Sequence, residues 1–289
     1  MNRLLVDPTW LAEQLNASDL VLLDATVDLR VPRFDGDYQA FSGGPGWRAE
    51  HIPGARHADL LERLHDAQAR YSFAMPPLPQ LATELQALGV GQHSRVVIYD
   101  CSDGFWAARL WWMLRSVGLA AAILDGGLNA WRQAGLPLAS GAANTPGAAT
   151  PATLHTQPGY WASLEQVRAV SEGRSPGHLI CALGQAVFDG SAATRYSRRG
   201  HIPNSRNRPA RQLFDASGRY HPAPLLRQAL AVDALPEPLL LYCGGGISAA
   251  ATAFALALVG RHDVTLFDGS LQQWSADPAL PMTTGAAPA

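Results

Sequence analysis

The chain repeats itself in order. "HIPGARHADL" begins at His51 and "HIPNSRNRPA" at His201. "VVIYDCSDGFWAARLWWMLRSVG" (96–118) has its counterpart in "LLLYCGGGISAAATAFALALVG" (239–260). "LDGGLNAW" ends at Trp131 and "FDGSLQQW" at Trp274. Three matches in one order point to a tandem duplication, so the chain must fold as two copies of one unit. The boundaries follow from composition. Residues 1–140 form the first unit and 156–289 the second. The stretch between them, 141–155, is rich in Ala, Gly, Thr and Pro and has no hydrophobic period, as an interdomain linker would.

Each unit alternates short apolar runs with helical patterns. "LVLLDA" (20–25), "RVVIYD" (95–100) and "AAILDG" (121–126) read as buried strands of the first. "HLICAL" (178–183), "PLLLYC" (238–243) and "DVTLFDG" (263–269) repeat them in the second. "PQLATELQALG" (79–89) and "FWAARLWWMLRSVG" (105–118) read as helices, and Gly118 and Gly260 stand where helix C-terminal glycines belong. Continuous apolar strands separated by helices predict an α/β unit, a mainly parallel sheet with helices on both faces.

With 22 basic and 24 acidic side chains, the net charge of -2 offers no basic excess for nucleic acid or an anionic membrane. The longest apolar stretch, near 249–259, is too short to span a bilayer. Asp7 and Glu13 interrupt any signal-like h-region, so the expectation is a soluble, cytoplasmic protein. Cys101, Cys181 and Cys243 are too few for a disulfide framework, and no Cys/His spacing suits a metal.

Cys243 ends a strand, and Gly244, Gly245, Gly246, Ile247 and Ser248 follow it into a helix. Ligands of parallel sheets bind at such strand ends. Glycines let the backbone curl so that its N–H groups form an anion nest, and the helix N-terminus adds partial positive charge. Such a cradle favours thiolate over thiol. The bland reading, an ordinary glycine turn with an incidental cysteine, is weakened by the repeat. The first copy places Asp100 where the second has Cys243, and Asp100 and Asp103 would oppose an anion there. One loop reads as reactive and the other as scaffold. Cys101 and Cys181 read as packed thiols. His51 and His201 read as turn residues making a local hydrogen bond, Asp125 and Asp268 as turn caps, and Trp111 and Trp112 as core or as a face toward the other unit.

Together these features resemble the tandem-domain rhodanese family, which holds thiosulfate sulfurtransferase and 3-mercaptopyruvate sulfurtransferase. The likeness rests on "HIPGA" (51–55), "RGHIP" (199–203), the six-residue loop from Cys243 and the tail "DGSLQQWSADPALPMTTG" (268–285), and it covers nearly the whole chain. It implies two tandem rhodanese-like domains, the first inactive and the second catalytic. It also implies a double displacement: the Cys243 thiolate takes sulfane sulfur from a small-molecule donor, and the persulfide passes it to cyanide, a thiol or a thioredoxin-like acceptor. The family needs no metal and no organic cofactor.

The loop Gly244-Gly245-Gly246 is similar to the mercaptopyruvate-type pattern Cys-Gly-Ser/Thr-Gly-Val/Ile-Ser/Thr, except that Gly245 replaces the hydroxyl residue. It lacks the Arg-Lys of the thiosulfate type. The family's first carboxylate-binding arginine aligns with Val187. The second aligns with Arg195, with Arg198 and Arg199 as alternatives. A family histidine aligns with Phe73. These departures leave open a weakly active or non-catalytic persulfide carrier of the same fold. A cysteine phosphatase would need an arginine after its loop, where this chain has Ala249.

Overall fold

The computed structural model describes residues 3–142, 150–234 and 238–285. In the first half the strands are β1 (Leu5–Val6), β2 (Leu20–Asp24), β3 (Val27–Leu29), β4 (Ala40–Ser42), β5 (Arg56–His57), β6 (Arg95–Tyr99) and β7 (Ala121–Leu124). In the second they are β8 (Trp161–Ala162), β9 (His178–Cys181), β10 (Ser205–Asn207), β11 (Leu239–Tyr242) and β12 (Val264–Phe267). The helices of the first half are α1 (Pro8–Gln14), α2 (Gly44–Ala49), α3 (Leu78–Ala87), α4 (Phe105–Ser116) and α5 (Gly127–Gln133). Those of the second are α6 (Leu164–Ser171), α7 (Gln185–Phe188), α8 (Ala223–Leu230), α9 (Ile247–Leu258) and α10 (Ser270–Ala276).

The two main sheets have the same plan. The first runs β1-β7-β6-β2-β5 and the second β8-β12-β11-β9-β10, with every neighbour parallel. The duplication read from three motifs therefore extends to strand order. Alternation along each central strand feeds two faces. Val96 and Ile98 join the core shared with α4, while Val97 and Tyr99 pack with α1 and α5. Leu239 and Leu241 join that same shared core, and Leu240 and Tyr242 pack with α6 and α10.

The HIP elements are tied to the central strands. Tyr99 Oη accepts from Ile52 N at 3.3 Å, and Tyr242 Oη from Ile202 N at 3.2 Å. His51 Nδ1 bonds Trp47 O at 2.7 Å, and His201 Nδ1 bonds Phe188 O at 2.8 Å; each ring stacks on the aromatic it bonds. His51 makes the local bond expected of it, whereas His201 reaches thirteen positions back to the end of α7.

The halves meet through α4 and α9, both nearly buried all round, which explains why each is mostly apolar, Arg109 and Arg115 of α4 excepted. Trp111 meets Phe254 edge-on at 4.8 Å. Trp112 packs against Tyr160 and Trp161, so the Trp pair is core and faces the other half. The DG aspartates are not turn caps as expected. Asp125 accepts from Tyr220 N at 3.0 Å, and Asp268 from Met75 N at 2.8 Å, so each reaches across to the opposite half. Residues 143–149 of the expected linker lie outside the described residues. Its C-terminal flank is bound to the first half, with Gln92 N donating to Thr150 O and His155 N to Val117 O.

One apolar core therefore runs through both halves. Calorimetry should show a single unfolding transition, and Trp111→Ala should lower stability by about 3–5 kcal/mol in denaturant titration. Two resolved transitions would show that the halves unfold independently.

Candidate active site

Cys243 follows β11 at the carboxyl edge of its sheet, and α10 fixes its backbone. Its N–H donates to Ser270 Oγ at 3.1 Å, Ser270 Oγ donates to Phe267 O at 2.8 Å, and Cys243 O accepts from Leu271 N at 3.1 Å. Ser270 holds φ +46°, a conformation that favours glycine, and its counterpart in the first copy is Gly127, φ +55°. The second copy therefore carries a hydroxyl where glycine would be easier, and that hydroxyl holds the cysteine.

Each loop glycine has its own reason. A methyl group at Gly244 would lie 1.4 Å from Tyr196 Oη. Gly246 has φ +78°, and a Cβ there would lie 2.8 Å from Arg109 Nη1. Gly245 is open, its nearest neighbour at 3.7 Å, so nothing steric excludes a side chain.

The two copies of the loop differ in what fills the nest. In the first, the buried Asp100 carboxylate accepts from Ser102 N (2.9 Å), Gly104 N (3.0 Å) and Ala107 N (2.9 Å). Burial pushes its pKa up while these three N–H groups pull it down. In the second copy the loop is one residue shorter: Gly246, the N-cap of α9 at φ +78°, corresponds to Gly104, the N-cap of α4 at φ +75°, and Gly245 precedes it. Among the described residues, no protein acceptor meets the N–H groups of Gly245 and Ile247. One loop is filled by its own carboxylate, and the other carries no carboxylate to fill it.

Cys243 lies at the wall of a cavity of about 270 Å³ between the halves. Gly244, Gly245, Ile247, Ser248, Leu183, Arg195 and Tyr196 line it from the second half. Leu29, Val31, Tyr38, Phe73, Asp103, Phe105 and Trp106 line it from the first. Gly246 stands behind the loop against Arg109. Burial raises the pKa of Tyr38 and Tyr196, and the neighbouring Cys243 raises them further, so both keep their protons at neutral pH. Cys101 and Cys181 are pushed up to about 12, mainly by burial, with the Asp24 charge adding to Cys101. Both are poor nucleophiles near neutral pH.

The three candidate arginines separate. Arg195 lines the cavity and donates through Nε (3.0 Å) and Nη2 to Arg30 O of the first half. Arg198 does not line it: its guanidinium donates to the carbonyls of Trp274, Ser275, Asp277 and Leu280 and clamps the chain after α10. Arg199 pairs with Asp35 at 2.9 Å across the halves. Val187 sits on α7, away from the cavity lining, whereas Phe73 is on it.

Sequence reading missed Leu29, Val31, Tyr38, Trp106, Tyr196 and Ser270. The first three come from the β3–β4 hairpin, an antiparallel pair that the second half lacks among its described residues. A length signal existed. Asp24 to His51 spans 27 residues and Cys181 to His201 only 20, so the first copy carries an insertion. Among the described residues no cluster of His, Cys, Asp or Glu suits a metal, and no helix is long and apolar enough to cross a membrane.

The rhodanese-like domain family matches residues 7–134 and again 178–277. A probable 3-mercaptopyruvate sulfurtransferase of Pseudomonas aeruginosa is 33% identical over 95% of this chain and 96% of its own. The human 3-mercaptopyruvate sulfurtransferase is 33% identical over 94% and 92%. Among solved structures, SseA of Escherichia coli, described as having the rhodanese fold, superposes with a TM-score of 0.78 and 27% identity, over 93% of this chain and 99% of that one.

The glycine geometry gives a paired test. Gly244→Ala should lose activity and cost at least about 1–3 kcal/mol, because Tyr196 cannot move out of a packed site. Gly245→Ser should fold with stability within about 0.5 kcal/mol of the parent. Equal thermal midpoints for the two variants would contradict the assigned contacts.

Proposed function

The chain belongs to the rhodanese-like family, and from that premise we propose that it is a sulfurtransferase in which Cys243 carries sulfane sulfur from 3-mercaptopyruvate or thiosulfate to a thiophilic acceptor. The observation that carries this reading is the contrast between the two nests. Asp100 occupies the donors of one copy, while those around Cys243 remain available to a thiolate or persulfide anion. Full-length similarity to 3-mercaptopyruvate sulfurtransferases supports the same chemistry.

With 3-mercaptopyruvate, the thiolate attacks the donor sulfur. The new S–S bond forms as the donor's C–S bond breaks. The bonding pair leaves as the pyruvate enolate, which takes a proton from solvent. The donor's thiol proton stays on the outer sulfur of Cys243–S–SH until it dissociates. An acceptor thiolate, cyanide or a thioredoxin-like dithiol then attacks that outer sulfur and releases the Cys243 thiolate. This is covalent catalysis with ping-pong kinetics. Preorganised N–H groups support both anions without rearranging.

Charge counting favours 3-mercaptopyruvate over thiosulfate. Arg195 is the cation on the cavity wall, and the acid on that wall, Asp103, is engaged by Arg211 at 2.6 Å. One guanidinium matches one carboxylate better than it matches a dianion.

Cys243→Ser should abolish sulfur transfer to cyanide and the persulfide mass increment. At pH 8, iodoacetamide should label Cys243 at least about a hundredfold faster than Cys101 or Cys181, whose thiolates are scarce there. Transfer surviving in Cys243→Ser would overturn the assignment. Arg195→Ala should raise KM for 3-mercaptopyruvate about tenfold or more with a smaller change in kcat. Arg198→Ala should instead lower the thermal midpoint and leave KM near its parent value. The reverse pattern would exchange the two roles.

A further inference from the structure

Phe73 is a large side chain in a glycine's conformation. Its φ is +61°, and it stands four residues before Pro77, the N-cap of α3. In the second copy the residue four before the N-cap Pro222 is Gly218, with φ +81°. The same turn therefore occurs twice, once with the residue it favours and once with a phenylalanine. A bulky residue at positive φ is strained and persists only where its surroundings over-determine it. Here they do. Phe73 O accepts from Arg109 Nη2 at 2.6 Å, Ser72 N donates to Gln272 Oε1 at 3.0 Å, and Met75 N donates to Asp268 Oδ2 at 2.8 Å. Phe73 is 3% exposed and helps line the Cys243 cavity, and its ring rests edge-on against Trp106 at 4.9 Å.

Phe105, Trp106, Tyr38 and Leu29 line the cavity together with Phe73, and its charged lining residues are Arg195 and Asp103, the latter paired with Arg211. A three-carbon acid leaves much of about 270 Å³ unfilled, and that volume approaches the range of sites for whole organic ligands. We propose that Phe73 is a specificity-determining wall that lets Cys243 take sulfur from donors combining one anionic group with an aromatic, ring-sized body. This rests on the sulfur-transfer reading and extends its donor class. The anion lies toward Arg195 and the ring against Phe73 and Trp106, where aromatic contact adds to area burial.

Organic thiosulfonates are suitable probes, because their body can be varied while the anion stays constant. The Cys243 thiolate attacks the terminal sulfur of R–SO₂–S⁻. The S–S bond within the donor breaks, its electron pair leaves with the sulfinate R–SO₂⁻, and the enzyme becomes Cys243–S–S⁻. Two negative charges enter and two remain, and no other reactant is needed.

The experiment compares kcat/KM for benzenethiosulfonate and methanethiosulfonate in the parent, Phe73→Gly and Phe73→His, with cyanide as acceptor. Glycine suits this backbone, and histidine keeps a ring; thermal midpoints verify that both variants fold. The parent should prefer the benzene donor by about tenfold, after correction for the two donors' rates with a free thiol. The preference should fall to near parity in Phe73→Gly and by a smaller factor in Phe73→His. Benzenesulfinate should inhibit the parent more strongly than methanesulfinate, and Phe73→Gly should lose that difference. Parity in the parent, or an unchanged preference in Phe73→Gly, would overturn the proposal. Failure of every donor, 3-mercaptopyruvate included, to form a Cys243 persulfide would instead overturn the sulfur-transfer reading, and this inference with it.

Discussion

The contact between α4 and α9 organises the molecule. Each helix starts from the loop at the end of its central strand, α4 from the Asp100 loop and α9 from the Cys243 loop. Packing the two helices face to face merges the cores of both halves and fixes each loop against the other half. Phe214 packs on Phe105 over the first loop, while Phe73 and Trp106 stand over the second. The cavity at Cys243 is thus a product of the domain contact. Its position follows from the apolar surfaces of two helices that neither half can bury alone.

Duplication gives this arrangement its symmetry, and a few substitutions break it. At one strand end a carboxylate satisfies the nest, and at the other a thiol leaves the donors available. At two turns, one copy has glycine with positive φ and the other a side chain, Gly127 against Ser270 and Gly218 against Phe73. Both of those side chains belong to the Cys243 site: Ser270 holds the cysteine N–H, and Phe73 walls the cavity. Asn204, also at positive φ, replaces Gly54 far from the site, and asparagine tolerates that conformation more readily. Ala231, at φ +50°, caps the C-terminus of α8 away from the cavity, so among the described residues positive φ is shared between the Cys243 site and ordinary turns.

Much of this was legible in the sequence, because it depends on local pattern. The repeat, the buried strands, the Cys243 loop and the Asp100 replacement all lie in contiguous stretches whose periodicity or composition is distinctive. The local bond of His51 followed from the same kind of reading. What stayed hidden depends on contacts between distant residues. "RYSRR" offers arginines at 195, 198 and 199, and only the fold separates cavity, carbonyl clamp and interdomain ion pair. The β3–β4 hairpin has three residues per strand and carries charges and a proline between them, so no alternation announced it. The reason Gly244 must be glycine lies in Tyr196, 48 positions away.

The first half contributes to the Cys243 site although its own loop carries Asp100 in place of a cysteine. Arg109 of α4 is fully buried, with Nη2 donating to Phe73 O and to Asp268 Oδ1 at 2.6 Å each, and Nη1 beside Gly246. A buried ion pair is a poor source of net stability, since desolvation offsets much of its attraction, but losing one partner is costly. Such a pair therefore enforces geometry more than it adds stability. Here it joins a first-half helix to the strained turn carrying Phe73 and to the aspartate that precedes α10, the helix holding Cys243. Cys243, the proposed nucleophile, is supplied by one copy of the repeat, and half of the residues lining the cavity beside it come from the other. Because of that division, a half whose loop carries Asp100 in place of a cysteine still forms part of the site.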